Sequence, residues 1–437
     1  MSLQRSLELF LGSCTKRALR RGLPTIIAVA GSVGKTSTKT AIGIALGAGE
    51  AGSGVVMSDK NYNNELGVPL TVFGCDAPGR SPIRWLSLLS KAWLSSVGVL
   101  KLRANVFVLE MATDKPGDLA YLLDIAPPSI SVLTAIGVEH TEYFGNVDAV
   151  AKEEATVLSV LSEDHTAVVN ADDTRVYQAA LESKAQLVSF GTSDASTARI
   201  VGSSLFVDGM HPEMSGLDLR IALYGSTYRV KLSGTVGRPQ GFAVAAALAV
   251  CATLDLDVRG AIQRLEANFH GMPGRMRLLE GIKHTWLIDD SYNSSPLAVL
   301  SAIRDLAAFP IQGDAHRVIA LGDMRELGQL AEEAHAEEGE AVAEAGIDML
   351  AVCGTLAHVV ARAAAEAGMS QEKIFVFNTS SEVGLFLQDR IKPGDVVLSK
   401  GSQNTVRMER VVKELMAHPD KASELLVRQS SDWLSRP

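Results

Sequence analysis

The sequence predicts an α/β protein: a mostly parallel sheet built around a phosphate-binding loop, followed by a second, Rossmann-like α/β domain. Three observations predict it. Short β-branched apolar runs alternate with helix-like segments, first before and again after residue 272. A glycine turn, "AGSVGKTSTK" at 30 to 39, joins the first run to the first helix that follows it. Several runs end in a charged residue, where an open α/β sheet binds its ligands. At 437 residues the chain also exceeds what one core usually serves.

Residues 1 to 22 read as a basic amphipathic helix stopped by Gly22 and Pro24. "TIIAVA" is then a buried strand that enters the glycine turn, and "NVFVLEM", "ISVLTAIG" and "TAVVNADD" are strands of the same kind. The stretch from Ile83 to Leu102 is apolar but broken by Lys91 and several serines, so it reads as a buried or half-buried helix in preference to a membrane span or a membrane-surface helix. Between about 187 and 236 short alternating runs with Gly, Ser and Asp turns predict an antiparallel excursion, after which "GFAVAAALAVCATLDL" returns to helix. A second alternation begins after "GMPGRMRLLEG", with strands at "TWLIDDSY", "RVIALGDM", "DMLAVCG", "KIFVFN" and "DVVLSKG". The expected organisation is an N-terminal helix over 1–22, a central domain over 23–272 and a C-terminal domain over 273–437.

Composition narrows the function. With 47% hydrophobic and 21% charged residues and a net charge of −9, the chain is an ordinary globular one without a general basic field, which argues against a nucleic-acid partner. Cys14, Cys75, Cys251 and Cys353 form no CxxC pair, which suits a reducing compartment and argues against a zinc ribbon. No signal peptide and no transmembrane segment is read, so the expected location is cytoplasmic.

The chemistry starts at Gly31-x-x-Gly34-Lys35-Thr36. Glycines let backbone N–H groups point at phosphate oxygens, and the helix behind them offers its positive end. Lys35 reaches terminal phosphates and the Thr36 hydroxyl is placed for Mg²⁺; Ser32 and Ser37 complete the nucleotide-binding turn. Glu110 closes the strand "NVFVLEM" and is read as a magnesium ligand in the crevice. His140 lies just past another strand end and could be a metal ligand or a satisfied surface histidine. Lys152, in "AVAKEEATV", reads on its own as the solvated face of a helix. In the second domain Asp289 and Asp290 close one strand, where they could bind a ribose or an amine or cap the next helix. Asp323 and Lys400 close two more, so the strand ends form a substrate-facing rim. The acidic run "AEEAHAEEGEAVAEAG" is a solvated helix face.

Taken together, "GSVGKTSTK", "NYNNELGVPLTVF", "LEMATDKPGDLAYL", "TAIGVEHTEYFG", "AKEE", "NADD", "GRMRLL", "DDSYNSSP", "LGDMRELG" with His335 downstream, and "KGSQNTVRME" resemble the Mur ligase family. Within it they are most similar to the branch that adds a D-alanyl-D-alanine dipeptide in peptidoglycan synthesis. The resemblance covers about residues 24 to 415, and the Asp-Asn-Pro-x-Arg motif of the diaminopimelate-adding sister enzymes is absent. It implies an ATP-dependent amide ligase that works through an acyl phosphate. Lys35 and Thr36 would hold the ATP phosphates and one Mg²⁺, and Glu110, His140 and a carbamylated Lys152 would serve two Mg²⁺ ions, with Lys35, Lys152 and His140 as catalytic residues. Arg275, Asp290 and Asn293 would contact nucleotide or amine from the C-terminal domain. Asn61, Asn63 and Asn64, together with Asp323 and Lys400, would face the substrates.

Two departures accompany the resemblance. Relatives that use nucleotide-linked muropeptide carry a further domain before the phosphate loop, which grips uridine diphosphate, and the sequence here reaches Gly31 directly. The His-Asn pair expected near adenine is Pro239-Gln240, and the arginine expected after "KGS" is Gln403. Gln240 keeps an amide able to bond a base edge. The chain reads as a monomer acting on small-molecule and peptide substrates, with a partner protein able to supply nucleotide binding. Two alternatives stay open: a Mur-like ligase for another carboxylate acceptor, of the poly-γ-glutamate or cyanophycin kind, and a non-catalytic subunit that retains the fold.

Overall fold

The computed structural model describes residues 3–58, 62–138, 141–208, 214–403 and 406–435. Its first sheet holds β1 (Thr25–Ala30), β2 (Val55–Met57), β3 (Val106–Glu110), β4 (Ile130–Leu133), β5 (Thr166–Asn170), β6 (Gln186–Gly191), β7 (Ala198–Phe206), β8 (Gly216–Leu223) and β9 (Ser226–Ser233). They lie in the order β2-β3-β1-β4-β5-β6-β7-β8-β9. Pairing is parallel from β2 through to β7 and antiparallel between β7, β8 and β9. The alternating runs after residue 187 are therefore an extension of the same sheet.

Strands such as "TIIAVA" and "TAVVN" are buried almost throughout and apolar at their centres because helices cover both faces of the sheet. One face packs on helices Lys35–Ala45, Arg238–Thr253 and Val258–Asn268. The alanine-rich middle helix has no polar stripe because it is buried from Gln240 to Cys251, apart from the half-buried Phe242. The other face packs on helices Leu3–Gly22, Gly67–Phe73, Pro82–Ser96 and Asp118–Ile125.

A second sheet holds β10 (Arg277–Gly281), β11 (Thr285–Asp290), β12 (Arg317–Gly322), β13 (Met349–Cys353), β14 (Ile374–Phe377) and β15 (Val396–Lys400), in the order β10-β11-β15-β12-β13-β14. All neighbours are parallel except β10, which pairs antiparallel with β11. The five expected strands are present. The sixth, β10, hides in "RMRLLEG" because its charged ends break the apolar run.

The sheet places β1, first in the chain, between β3 and β4, so the strand order reverses beside it. That reversal opens the crevice into which the β1 loop projects. The second domain leans on the first through its 323–330 loop: Thr141 Oγ1 donates to the Leu327 carbonyl at 3.2 Å and Glu142 N–H to the Glu326 carbonyl at 3.3 Å. The two sets of strand ends thereby face one another.

Candidate active site

The turn after β1 has the backbone its glycines predict. Gly31 has φ 122° and Gly34 has φ 90°, both in the region that side chains avoid. A Cβ on Gly31 would also stand 2.3 Å from Thr134 Oγ1, so no other residue fits there without displacing β4's exit. Helix Lys35–Ala45 starts directly behind, with Thr36 and Ser37 buried in its first turn. Lys35 Nζ lies over its own loop, donating to the carbonyls of Gly31 and of Ser32, the latter at 3.1 Å.

Glu110, at the end of β3, meets this turn. Thr36 Oγ1 donates to its Oε1 at 3.0 Å and Asn63 Nδ2 at 3.3 Å, while its buried Oε2 accepts no hydrogen bond. Lys39 Nζ, itself almost wholly buried, stands 3.5 Å from that Oε2. A hydroxyl and a carboxylate side by side, one of whose oxygens accepts no hydrogen bond, suit a hard cation such as Mg²⁺. Among the described residues no group of three or more His, Cys, Asp or Glu side chains is placed to hold a metal. Magnesium commonly completes its shell with water and substrate phosphates, so Thr36 and Glu110 are a sufficient protein contribution to one ion. His140 and Asn61 lie outside the described residues.

The "AKEE" segment differs from expectation. Lys152 is exposed on helix Val147–Glu154. Glu154, two residues and about 200° further round the helix, is the buried side chain, and its Oε2 accepts the Gly31 N–H at 2.7 Å. Glu153 accepts from the N–H groups of Gly117 and Leu119 and so anchors the start of helix Asp118–Ile125. Glu154 thus holds the N–H that opens the phosphate loop, and Lys152 lies on another side of the same helix.

Across the crevice, alternation along β11 resolves the adjacent acids. Asp289 is fully buried and holds Gly274 N–H at 2.8 Å and Ser291 Oγ at 2.5 Å; burial pushes its carboxyl up to about 6. Asp290 faces the crevice and pairs with Lys400 at the end of β15, Oδ2 to Nζ being 2.6 Å. Lys400 Nζ also donates to the Asn293 carbonyl at 3.0 Å. Arg275 stacks on Tyr292 with its guanidinium carbon 4.3 Å from the ring centre.

These groups line one cavity of about 490 Å³. Ser32, Gly34, Lys35, Thr36, Ser37, Asn63, Asn64, Glu110 and Gln240 come from the first domain, and Arg275, Asp290, Asn293 and Lys400 from the second. Gln240 is informative. Its Nε2 donates to the Arg275 carbonyl at 3.1 Å, whereas its buried Oε1 has no partner, an acceptor waiting for a donor such as an exocyclic amine.

Asp323 does not join the rim. Its carboxylate accepts from the N–H groups of Thr355 and Leu356 at 2.7 and 3.0 Å, fixing the turn after β13. His335 is likewise internal: Nδ1 donates to the Ala331 carbonyl and Nε2 accepts the Met324 N–H, with burial holding its pKa below the usual value. The acidic helix Ala331–Glu344 is not simply solvated, since Glu338 is buried with neither carboxyl oxygen hydrogen-bonded. Sequence reasoning missed Arg325, Glu326 and Ser402 on the cavity wall and Lys39 beneath it. The signal for Lys39 was a second lysine one helical turn after Lys35.

Residues 94–252 match the Mur ligase middle domain, and residues 274–403 match the Mur ligase, glutamate ligase domain. The chain belongs to the Mur ligase family. This Mur ligase is similar to the UDP-N-acetylmuramoyl-tripeptide–D-alanyl-D-alanine ligase of Escherichia coli, 27% identical over 91% of this chain and 78% of that one. The enzyme of the same name from Bacillus subtilis is 25% identical over 90% of this chain and 76% of its own length. Among solved structures, the MurF ligase of Thermotoga maritima in complex with ADP is similar at 26% identity and a TM-score of 0.74, covering 95% of this chain and 84% of that one.

Proposed function

We propose that this Mur ligase uses ATP to join the terminal carboxylate of a muramoyl tripeptide to the amine of D-alanyl-D-alanine. The carrying observation is the shared cavity, into which the phosphate loop and Glu110 project from one sheet and Asp290, Asn293 and Lys400 from the other. A site split in this way suits a reaction in which nucleotide, acceptor and amine must meet out of water. The printed names of the relatives supply the substrates, and the ADP bound to the Thermotoga maritima protein supports the nucleotide.

In this reading the turn from Gly31 to Ser37 cradles the ATP phosphates and Gln240 Oε1 accepts a hydrogen bond from the base. The acceptor carboxylate attacks the γ-phosphorus, ADP leaves, and an acyl phosphate forms. The amine nitrogen then attacks the acyl carbon, loses a proton, and the carbon–oxygen bond to phosphate breaks. Lys35 offsets the charge that builds on the transferring phosphoryl group. Thr36 and Glu110 would hold Mg²⁺, which when bound neutralises phosphate charge. Glu154, fixed against Gly31, supplies the permanent negative charge for which a lysine carbamate was expected at Lys152. The loop bearing Asn63 is tied to the end of β3 by Ala112 N–H donating to its carbonyl, and it presents the acceptor.

The test is phosphate release from ATP with muramoyl tripeptide and D-alanyl-D-alanine, each alone and together, with product mass as a second readout. Release that requires both, and an amide product, supports the reading. Release with a polyglutamate or polyaspartate acceptor instead would favour the other ligase class. No release from any pair would leave a binding protein. Lys35→Ala should lose about 100-fold or more in turnover, since it removes charge felt most in the transition state.

A further inference from the structure

We propose that the face formed by helices Leu3–Gly22 and Pro82–Ser96, with the loop running on to Arg103, docks on an anionic lipid surface. The proposal stands apart from the ligase reading and does not depend on it.

Helix Pro82–Ser96 is apolar on two sides. Leu88 and Ala92 are buried against the core. Ile83, Leu86, Trp93 and Val97 fall within an arc of about 80° on the outer side, counted at 3.6 residues per turn. They remain 81%, 67%, 54% and 40% exposed. Val99 and Leu100, just past the helix end, and Leu23, just past the end of the first helix, are exposed as well. The two helices pack side by side. Arg21 Nη1 lies 3.2 Å from where a Cβ on Gly98 would stand, so the end of the first helix meets the loop after the second.

Charge selects the occupant. From Gly79 to Asn105 the chain carries Arg80, Arg84, Lys91, Lys101 and Arg103 and no acid. The first helix adds five more cations against the single acid Glu8. All this sits in a chain whose net charge is −9, so positive charge is concentrated on this face. Arg17, Arg20, Arg21, Arg84, Lys101 and Arg103 are exposed and form no ion pair among the described residues. A protein partner would ordinarily be met by charges of both signs around an apolar centre. Exposed aliphatics and a tryptophan among charges that are mostly cations match the acyl boundary and phosphates of an anionic bilayer. Among the described residues no helix is long and apolar enough to cross a membrane, so attachment would be peripheral. The face also continues into the acceptor loop, through Ala77 N–H donating to Tyr62 Oη at 3.0 Å.

The experiment is flotation of the full chain with vesicles of phosphatidylglycerol and phosphatidylcholine, compared with phosphatidylcholine alone. Binding is expected only to the anionic vesicles and should weaken as salt rises. Trp93 should shift its emission to the blue, and Trp93→Phe should remove the shift. Ile83→Ser with Leu86→Ser, and separately Arg20→Glu with Arg84→Glu, should each weaken binding by about tenfold or more. All four residues are exposed and outside the cavity, so ATP turnover without lipid should be unchanged. Absence of binding at low salt, or equal binding by the variants, would overturn the proposal. So would self-association that the same substitutions abolish, which would assign the face to a second copy of the chain.

Discussion

Glu154 and Gly31 stand 123 residues apart and meet at 2.7 Å, a buried carboxylate accepting the N–H that opens the phosphate loop. The contact fixes both the loop and a negative charge beside it. Glu154→Gln keeps an acceptor for Gly31 and removes the charge, so it should fold normally and lose turnover by about 10- to 100-fold, the usual effect of disturbing a group behind a metal site. Lys152→Ala should stay within about twofold of the parent, as expected for an exposed helix position. Phosphate release measured with and without bicarbonate checks both. Stimulation by bicarbonate together with an inactive Lys152→Ala would restore the carbamate.

Gln240 holds Arg275 with its amide nitrogen and leaves its oxygen unpaired in the cavity wall. Gln240→Glu keeps an oxygen there but gives up the donor to Arg275, and Gln240→Met removes both polar ends at similar volume. Both should bind adenine nucleotide less well. Gln240→Met should also lose preference for ATP over GTP, by about tenfold, because the discriminating acceptor is gone. Competition of ATP and GTP against a fluorescent nucleotide reads this directly. An unchanged preference would move the base elsewhere in the cavity.

Asp290, at the cavity wall, and the buried Lys400 form an ion pair whose parts come from neighbouring strands β11 and β15. Burial raises the Asp290 pKa, and the Lys400 ammonium offsets only part of that rise. Lys400→Met would strand the carboxylate, and a loss of about 3–5 kcal/mol is expected at neutral pH. Adding Asp290→Asn should return much of it, since no lone charge remains buried. Chemical denaturation of the single and double variants decides. If both changes are additive, the pair is not the coupled unit that the geometry indicates.

The two α/β alternations, the glycine turn and the strand-end polar residues were legible because each is a local pattern. Apolar runs of fixed length, an αL turn at glycine and a charge closing a strand need no tertiary information. What escaped depended on phase or on distant partners. "AKEE" does not say which residue turns inward, and only helix packing settles that Glu154 does so while Lys152 does not. Asp323 and Asp290 look alike as strand-end acids, yet one is consumed by the amides of Thr355 and Leu356 and the other reaches the cavity. β10 was obscured because arginine and glutamate interrupt it, and its pairing with β11 overrides that composition.

Glu338 should make stability depend on pH. Burial raises its pKa to about 8; the Lys400 charge opposes the shift and the Asp323 charge adds to it. Because neither of its oxygens is hydrogen-bonded, the folded protein favours the neutral acid. The unfolded chain releases that proton near the ordinary glutamate value of ~4.3. Between there and about pH 8 the folded state therefore binds more protons, and stability falls as pH rises, by at most about 1.4 kcal/mol per pH unit. Asp305, raised to about 7 by burial, and Asp289, raised to about 6, push in the same direction and must be carried as a background. Glu338→Gln keeps the shape and cannot ionise. Its melting temperature should match the parent within a few degrees at pH 5, exceed it increasingly up to about pH 8, and keep a constant lead above that. Thermal unfolding followed by circular dichroism across that range is the measurement. Parallel curves would mean that Glu338 stays ionised in the fold, with water or a cation reaching it from the side of Lys400 and Asp323.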